Sequence, residues 1–132
     1  MGSLIDTGLF VAAERGQLDL GSTLAAFTGE PLEIASVTVA ELLHGMYRAD
    51  PARQPERRAV VEGILAKFPV VPLDLPIART YGRLLADRSR IGRPMGSHDL
   101  IIAATAVTLG YRVITRDARS FPEIPELNVV LR

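Results

Sequence analysis

Ser97 to Asp117 reads SHDLIIAATAVTLGYRVITRD, and the fold class follows from its pattern. Leu100 to Leu109 is apolar on nearly every side, broken mainly by Thr105 and Thr108, which predicts a helix buried between other elements. Gly110 stops it, because glycine adopts the left-handed conformation that ends helices without steric cost. Val113-Ile114 then makes a brief β-branched run with no polar alternation, as expected of a strand covered on both faces. A buried helix feeding a buried strand is the repeating unit of a parallel α/β sheet.

Outward from this stretch the same grammar recurs. Leu4-Ile5, Leu32 to Ala35, Val70 to Leu73 and Val129 to Leu131 are further strand candidates, which with Val113-Ile114 predicts a central, mostly parallel sheet of about five strands. Leu9, Phe10 and Val11 belong to a helix after the first strand. Val60, Val61, Ile64, Leu65 and Phe68 form one amphipathic stripe, and Ile77, Tyr81, Leu84 and Leu85 another. Asp50-Pro51, Gln54-Pro55 and Gly92-Arg93-Pro94 punctuate the helices. With 132 residues and no internal linker, residues 1–132 are expected to form one domain.

Composition narrows the chemistry. No cysteine is present, which excludes a disulfide scaffold and thiolate-rich metal sites and is compatible with a cytoplasmic location. His44 and His98 are the only histidines, too few for a histidine-rich zinc site, so hard carboxylate oxygens suited to magnesium or manganese remain. Fifteen basic and fifteen acidic residues cancel, so any contact with nucleic acid must be local. All the basic residues except Lys67 are arginines, whose planar forks suit phosphate. No apolar run is long enough to span a bilayer, and a secretory leader is not expected before Asp6.

Four acids stand where strands end or helices begin: Asp6, Glu41, Asp99 and Asp117. In open α/β sheets the carboxyl ends of the strands surround the binding crevice, so these acids are candidates to meet there. Gathered carboxylates raise one another's pKa unless a cation neutralises them. Each acid also has a purely structural alternative. Asp6 is placed to N-cap the following helix. Thr38-Val39-Ala40-Glu41 fits a capping box, with Val37 and Leu42 as its staple. Asp99 suits the positive end of its helix, which Ser97 is placed to cap. Asp117 suits a turn. What favours a site is the recurrence of acids at one kind of position.

The pieces Leu4-Ile5-Asp6-Thr7, Val37 to Leu42 with Gly45, Asp99 to Ala106, and Thr115-Arg116-Asp117 leading to Phe121 resemble the successive motifs of PIN-domain ribonucleases. In size and motif spacing the chain is similar to VapC-type toxins of toxin-antitoxin pairs. The resemblance spans almost the whole chain and is most specific around Asp99. It implies a single PIN-like domain in which Asp6, Glu41, Asp99 and Asp117 form an acidic pocket for Mg2+ or Mn2+, with Thr115 as a supporting polar residue. On that reading Asp6 and Asp99 are direct ligands, Asp117 binds directly or through water, and Glu41 orients water or closes the outer shell. Gly8 departs from the serine often found after the aspartate-threonine pair. The resemblance further implies endoribonuclease activity, a VapB-like antitoxin whose tail lies in a groove, and a homodimer within a toxin-antitoxin hetero-oligomer.

Arg88, Arg90 and Arg93 precede the Asp99 helix, and Arg116 and Arg119 flank Asp117. These five are the candidate RNA-backbone contacts, the alternative being a solvated helix end and loop. Unpaired or looped RNA is the expected substrate. Tyr47 and Phe121 are the nearest candidates for base stacking, with core packing as their alternative role. Among rival enzymes, a dehalogenase-like phosphatase needs an acid where Gly8 stands, and a receiver domain needs a late lysine that is missing. The non-catalytic rival is a PIN-like module that binds a protein partner or RNA without cutting it.

Overall fold

The computed structural model describes residues 1–132. Its elements run β1 (Ser3–Ile5), α1 (Thr7–Glu14), α2 (Leu20–Leu24), a 3-10 turn (Ala25–Phe27), β2 (Leu32–Ala35), α3 (Ser36–Arg48), α4 (Gln54–Lys67), β3 (Val70–Val71), α5 (Leu75–Arg90), α6 (Ser97–Leu109), β4 (Arg112–Thr115), a second 3-10 turn (Phe121–Glu123) and β5 (Asn128–Leu131). All five strands are parallel, in the order β3-β2-β1-β4-β5. The expected α/β architecture is observed, with the sheet wholly rather than mostly parallel.

Alternation along the central strands explains why their sequences are apolar throughout. Leu4 and Val113 point into one core, with Ile77 and Leu84 of α5 and Leu100 and Ile102 of α6. Their neighbours Ile5 and Ile114 point into the other, with Leu9 and Phe10 of α1, Leu42 and Met46 of α3 and Val61 of α4. Successive side chains take opposite faces of a strand, so a sheet covered on both sides needs apolar residues at both parities. In that second core the Phe10 and Phe68 rings meet edge to face at 5.6 Å. α6 is buried as its composition predicts, and Gly110 ends it with φ of 68°.

Three local expectations are corrected. β3 covers only Val70–Val71 and not Val70 to Leu73, because Pro72 cannot donate to the ladder; as an edge strand it tolerates that neighbour. α3 starts at Ser36 with Ala35 at the N-cap, so Thr38 lies inside the first turn and the capping box and staple are not formed. α6 starts at Ser97 with Gly96 at its N-cap and no side-chain cap hydrogen bond, so Ser97 is not the cap.

Strand order determines where a site can form. β1 lies at the centre, paired with β2 on one side and β4 on the other. The chain leaves β1 for β2 but reaches β4 only after visiting the β3 edge, so the order reverses between β1 and β4. A crevice at the carboxyl ends of strands opens at such a reversal.

Candidate active site

Asp6 follows β1, and its amide donates to the Ile114 carbonyl at 3.0 Å, which fixes its backbone to the sheet. It occupies the N-cap position of α1 but makes no side-chain cap hydrogen bond. Its Oδ2 instead accepts from the Thr115 hydroxyl at 2.7 Å, across the β1/β4 junction. The carboxyl is thus withdrawn from helix capping, and it is buried, with 7 % of its surface exposed.

Thr115 also accepts from the Asp117 amide at 2.9 Å, so one buried hydroxyl joins the two acids that follow β1 and β4. Asp117 makes the turn that was its structural alternative: its Oδ1 accepts from the amides of Arg119 (2.8 Å) and Ser120 (3.0 Å). It nevertheless lines the same cleft as the other three acids. Turn-making and cleft-lining are compatible, because a carboxylate has two oxygens and several lone pairs.

Glu41 sits in the second turn of α3, released from any capping role. The Thr7 hydroxyl donates to its Oε1 at 2.8 Å, and Thr38 Oγ1 stands 3.0 Å from that hydroxyl. Its Oε2 lies 3.6 Å from Nδ1 of the exposed His98. Asp99 is the third residue of α6, half-buried at the positive end of the helix. Asp6, Glu41, Asp99 and Asp117 all open into one cleft of about 470 Å³, floored by α1 residues Gly8, Val11 and Ala12.

The charges respond to this gathering. Burial pushes the Asp6 carboxyl up from 3.8 to about 6; the Thr115 hydrogen bond opposes that rise, and the charges of Asp99 and Glu41 add to it. Burial also raises Asp99, reinforced by Glu41 and Asp117 and opposed by His98. Asp117 moves the other way: burial would raise it, but the Ser120 and Arg119 hydrogen bonds and the Arg119 charge outweigh that and hold it below the usual carboxylate range. Such a set holds surplus negative charge that a hard cation would relieve. As the side chains stand, no three acidic or histidine groups are close enough together to hold one ion.

The arginines are distributed differently from the sequence reading. Arg88 is buried, donating to the Arg93 carbonyl at 2.8 Å and to Glu123 Oε2 at 2.6 Å. Arg93 pairs with the other Glu123 oxygen at 2.6 Å and Arg90 with Asp87 at 2.9 Å. None of the three lines the acidic cleft, which corrects their placement at its rim; Arg88 and Arg93 brace the end of α5 and the loop after it against the 3-10 turn at Phe121–Glu123, while Arg90 pairs within α5. Arg116 does line the cleft, and Arg119 acts on Asp117 through its charge. Phe121 is wholly buried and packs the core, whereas Tyr47 is exposed beneath the Arg58 guanidinium.

Three polar cleft residues, Thr7, Arg15 and Gln17, had no role assigned from the sequence. Thr7 holds Glu41, and its signal was its place beside Asp6. Arg15 caps the C-terminus of α1, and its signal was the helical spacing that puts Gly8, Val11, Ala12 and Arg15 on one face. A second, larger cavity of about 730 Å³ runs between α1, α3 and α4 and shares Val11, Arg15 and Glu41 with the cleft, so the two adjoin.

Comparison with known proteins agrees with this architecture. The PIN domain family matches residues 3–127. Ribonuclease VapC of Rickettsia bellii is 31% identical over 131 residues, covering 98% of this chain and 96% of that protein. The tRNA(fMet)-specific endonuclease VapC of Salmonella typhimurium is 36% identical over 97 residues, 73% of this chain and 71% of that one. Among solved structures, DNA-bound VapBC from Salmonella typhimurium superposes with a TM-score of 0.89 at 26% identity, covering 98% of this chain and 97% of that one. VapBC2 from Rickettsia felis, bound to a promoter DNA fragment, superposes at 0.91 with 20% identity, covering 100% and 99%, and matches in fold.

Proposed function

Since the chain belongs to the PIN-domain family, among the VapC ribonucleases, we propose that it is a divalent-metal-dependent endoribonuclease whose site is formed by Asp6, Glu41, Asp99 and Asp117. The observation that carries this reading is that four acids from four elements open into one cleft at the β1/β4 reversal, with Asp6 and Asp99 both raised by burial and by their neighbours. Their donor set is entirely hard oxygen, which fits Mg2+ or Mn2+. Asp6 and Asp99 would hold the ion, joined by Asp117 directly or through water. A bound ion supplies acidified water and neutralises charge developing on phosphorus. Glu41, held by Thr7, orients water beside the phosphate, and Thr115 keeps Asp6 and Asp117 aimed at the same space.

The partner reading rests on the groove between α1, α3 and α4. It adjoins the acidic cleft across Val11, Arg15 and Glu41, so a peptide lying in it would pass beside the carboxylates. The Salmonella structure is a VapBC complex, and a VapB-like antitoxin is the corresponding partner here; a basic side chain from its tail would compete with metal for the carboxylates. The assembly is a homodimer within that toxin-antitoxin complex, and its place is the cytoplasm. No helix is long and apolar enough to cross a membrane.

The test is cleavage of total RNA, which contains tRNA, by antitoxin-free protein with Mg2+, with Mn2+ and with chelator, beside Asp99→Ala. Metal-dependent cutting that the variant lacks is the expected result. A folded wild-type protein that binds RNA or antitoxin but cuts nothing under either metal would replace this reading with the silent binding module.

A further inference from the structure

Most guanidinium groups in this chain are already engaged. Arg57, Arg83, Arg88, Arg90, Arg93 and Arg112 are ion-paired, and Arg58 and Arg132 lie over aromatic rings. Only two arginines line the acidic cleft, Arg15 and Arg116; both are exposed and neither is ion-paired. They come from different elements, Arg15 from the end of α1 and Arg116 from the end of β4.

The backbone of Arg15 is held firmly. Gln17 donates to the Ala12 carbonyl at 2.8 Å and Gly16 to the Ala13 carbonyl at 3.1 Å, the paired bonds of a Schellman motif, with Gly16 at φ of 72°. The motif ends α1 at Glu14 and keeps Arg15 in register with Gly8, Val11 and Ala12 on the cleft face. Gly8 and Ala12, which share that face, are too small to carry any group that could pair with Arg15. A long cationic side chain anchored at its base, unpaired, and set at the mouth of a carboxylate cleft is matched to an anion that must enter that cleft. The carboxylates repel a phosphodiester backbone, so approach needs positive charge placed beside them.

Resting on the ribonuclease reading above, we infer that Arg15 is a phosphate-binding residue for the RNA strand, acting beside Arg116 and in place of Arg88, Arg90 and Arg93, for which the sequence suggested that role as it did for Arg116 and Arg119. The alternative function of Arg15 is to complement the negative end of α1, and the two roles separate experimentally.

The experiment measures binding of a mixed-sequence single-stranded RNA oligonucleotide by fluorescence anisotropy in chelator, across a salt series, for wild type, Arg15→Gln, Arg15→Lys and Arg79→Gln. Arg79 is exposed, unpaired and outside the cleft, so its variant controls for net charge. Arg15→Gln is expected to weaken binding about 10-fold and to reduce the slope of log K against log salt by about 0.7, the loss of one phosphate contact on a single strand. Arg15→Lys should recover most of the slope, because a point charge still binds phosphate. A wild-type affinity and slope in Arg15→Gln, or an equal loss in Arg79→Gln, would overturn the assignment while leaving metal-dependent cleavage intact. Absence of both RNA binding and cleavage by the wild type would overturn this assignment and the ribonuclease reading together.

Discussion

Replacing Asp6 with asparagine should make the metal-free protein more stable while abolishing the metal binding proposed for this cleft. The Asp6 carboxyl is pushed up from 3.8 to about 6, led by burial. The sign is opposite to that of a salt-bridged aspartate. Below about pH 4 both folded and unfolded chains carry the proton, and Asp6 makes stability no different with pH. Between about pH 4 and 6 the unfolded chain ionises while the folded one keeps its proton, so stability falls as pH rises. Above about pH 6 the penalty is constant, and a rise from 3.8 to about 6 corresponds to about 3 kcal/mol. Asparagine has nearly the same shape, and its carbonyl oxygen can still accept from the Thr115 hydroxyl, so the substitution removes charge and little else. Urea or thermal unfolding of Asp6→Asn and wild type in chelator, from about pH 4 to 8, should give curves that coincide at the acid end. They should separate through about pH 6 and differ by about 3 kcal/mol, or roughly 10 °C in Tm, at pH 7.5. Adding Mn2+ at pH 7.5 should then raise the Tm of wild type and not of the variant. A stability difference that does not change with pH, or a variant less stable than wild type at pH 7.5, would refute the reasoning that a buried, repelled carboxylate strains this cleft.

Two further outcomes follow from named contacts. Thr115→Val removes the hydrogen bond that opposes the rise of Asp6 and the bond that Thr115 accepts from the Asp117 amide; calorimetric Mn2+ titration should show weakened binding at about pH 6.5 that partly recovers at about pH 8.5, once Asp6 ionises. Arg88→Ala should lower stability by about 2 kcal/mol, through its buried stem and the carbonyl left without a donor. RNA binding by the folded Arg88→Ala protein, measured well below its Tm, should equal that of wild type, since this guanidinium is held at Glu123 and not at the cleft.

Features legible in the sequence were those governed by local periodicity. The bounds of β2, the buried helix α6 and its glycine stop, and the parallel α/β class all follow from apolar pattern over windows of a few residues. Asp6, Asp99 and Asp117 stand at or near the boundary of such a pattern, whereas Glu41, in the second turn of α3, was singled out by a capping box that does not form. What was misread depended on partners distant in sequence. Nothing around Arg88 announces Glu123, which is 35 residues further on and reached only after α6 and β4. Helix starts differ for a related reason: Thr38 and Ser97 are good caps by residue type, but the strand before α3 and the loop before α6 deliver the chain in helical register three and one residues earlier. α2 was not read at all, because five residues are too few to show a helical period.

The amide of Asp6 is bonded into the sheet and its carboxyl is bonded to a wholly buried threonine, so this one acid has almost no freedom of its own. Glu41 and Asp99 project from helices, and Asp117 from a three-residue turn, with their ends reaching partly exposed space. The four acids are therefore tethered unequally: Asp6 to the sheet, Asp117 to two turn amides, Glu41 to the Thr7 hydroxyl, and Asp99 to its helix backbone alone. No three of the acids stand close enough to share one ion, and Asp99, whose carboxylate accepts no hydrogen bond from a neighbour, has the most freedom to change that spacing by rotating its side chain. Precision in the cleft is thus inherited from the sheet through Asp6 and, by way of the Thr115 hydroxyl, through Asp117, and adaptability is left to the acid carried at the start of α6.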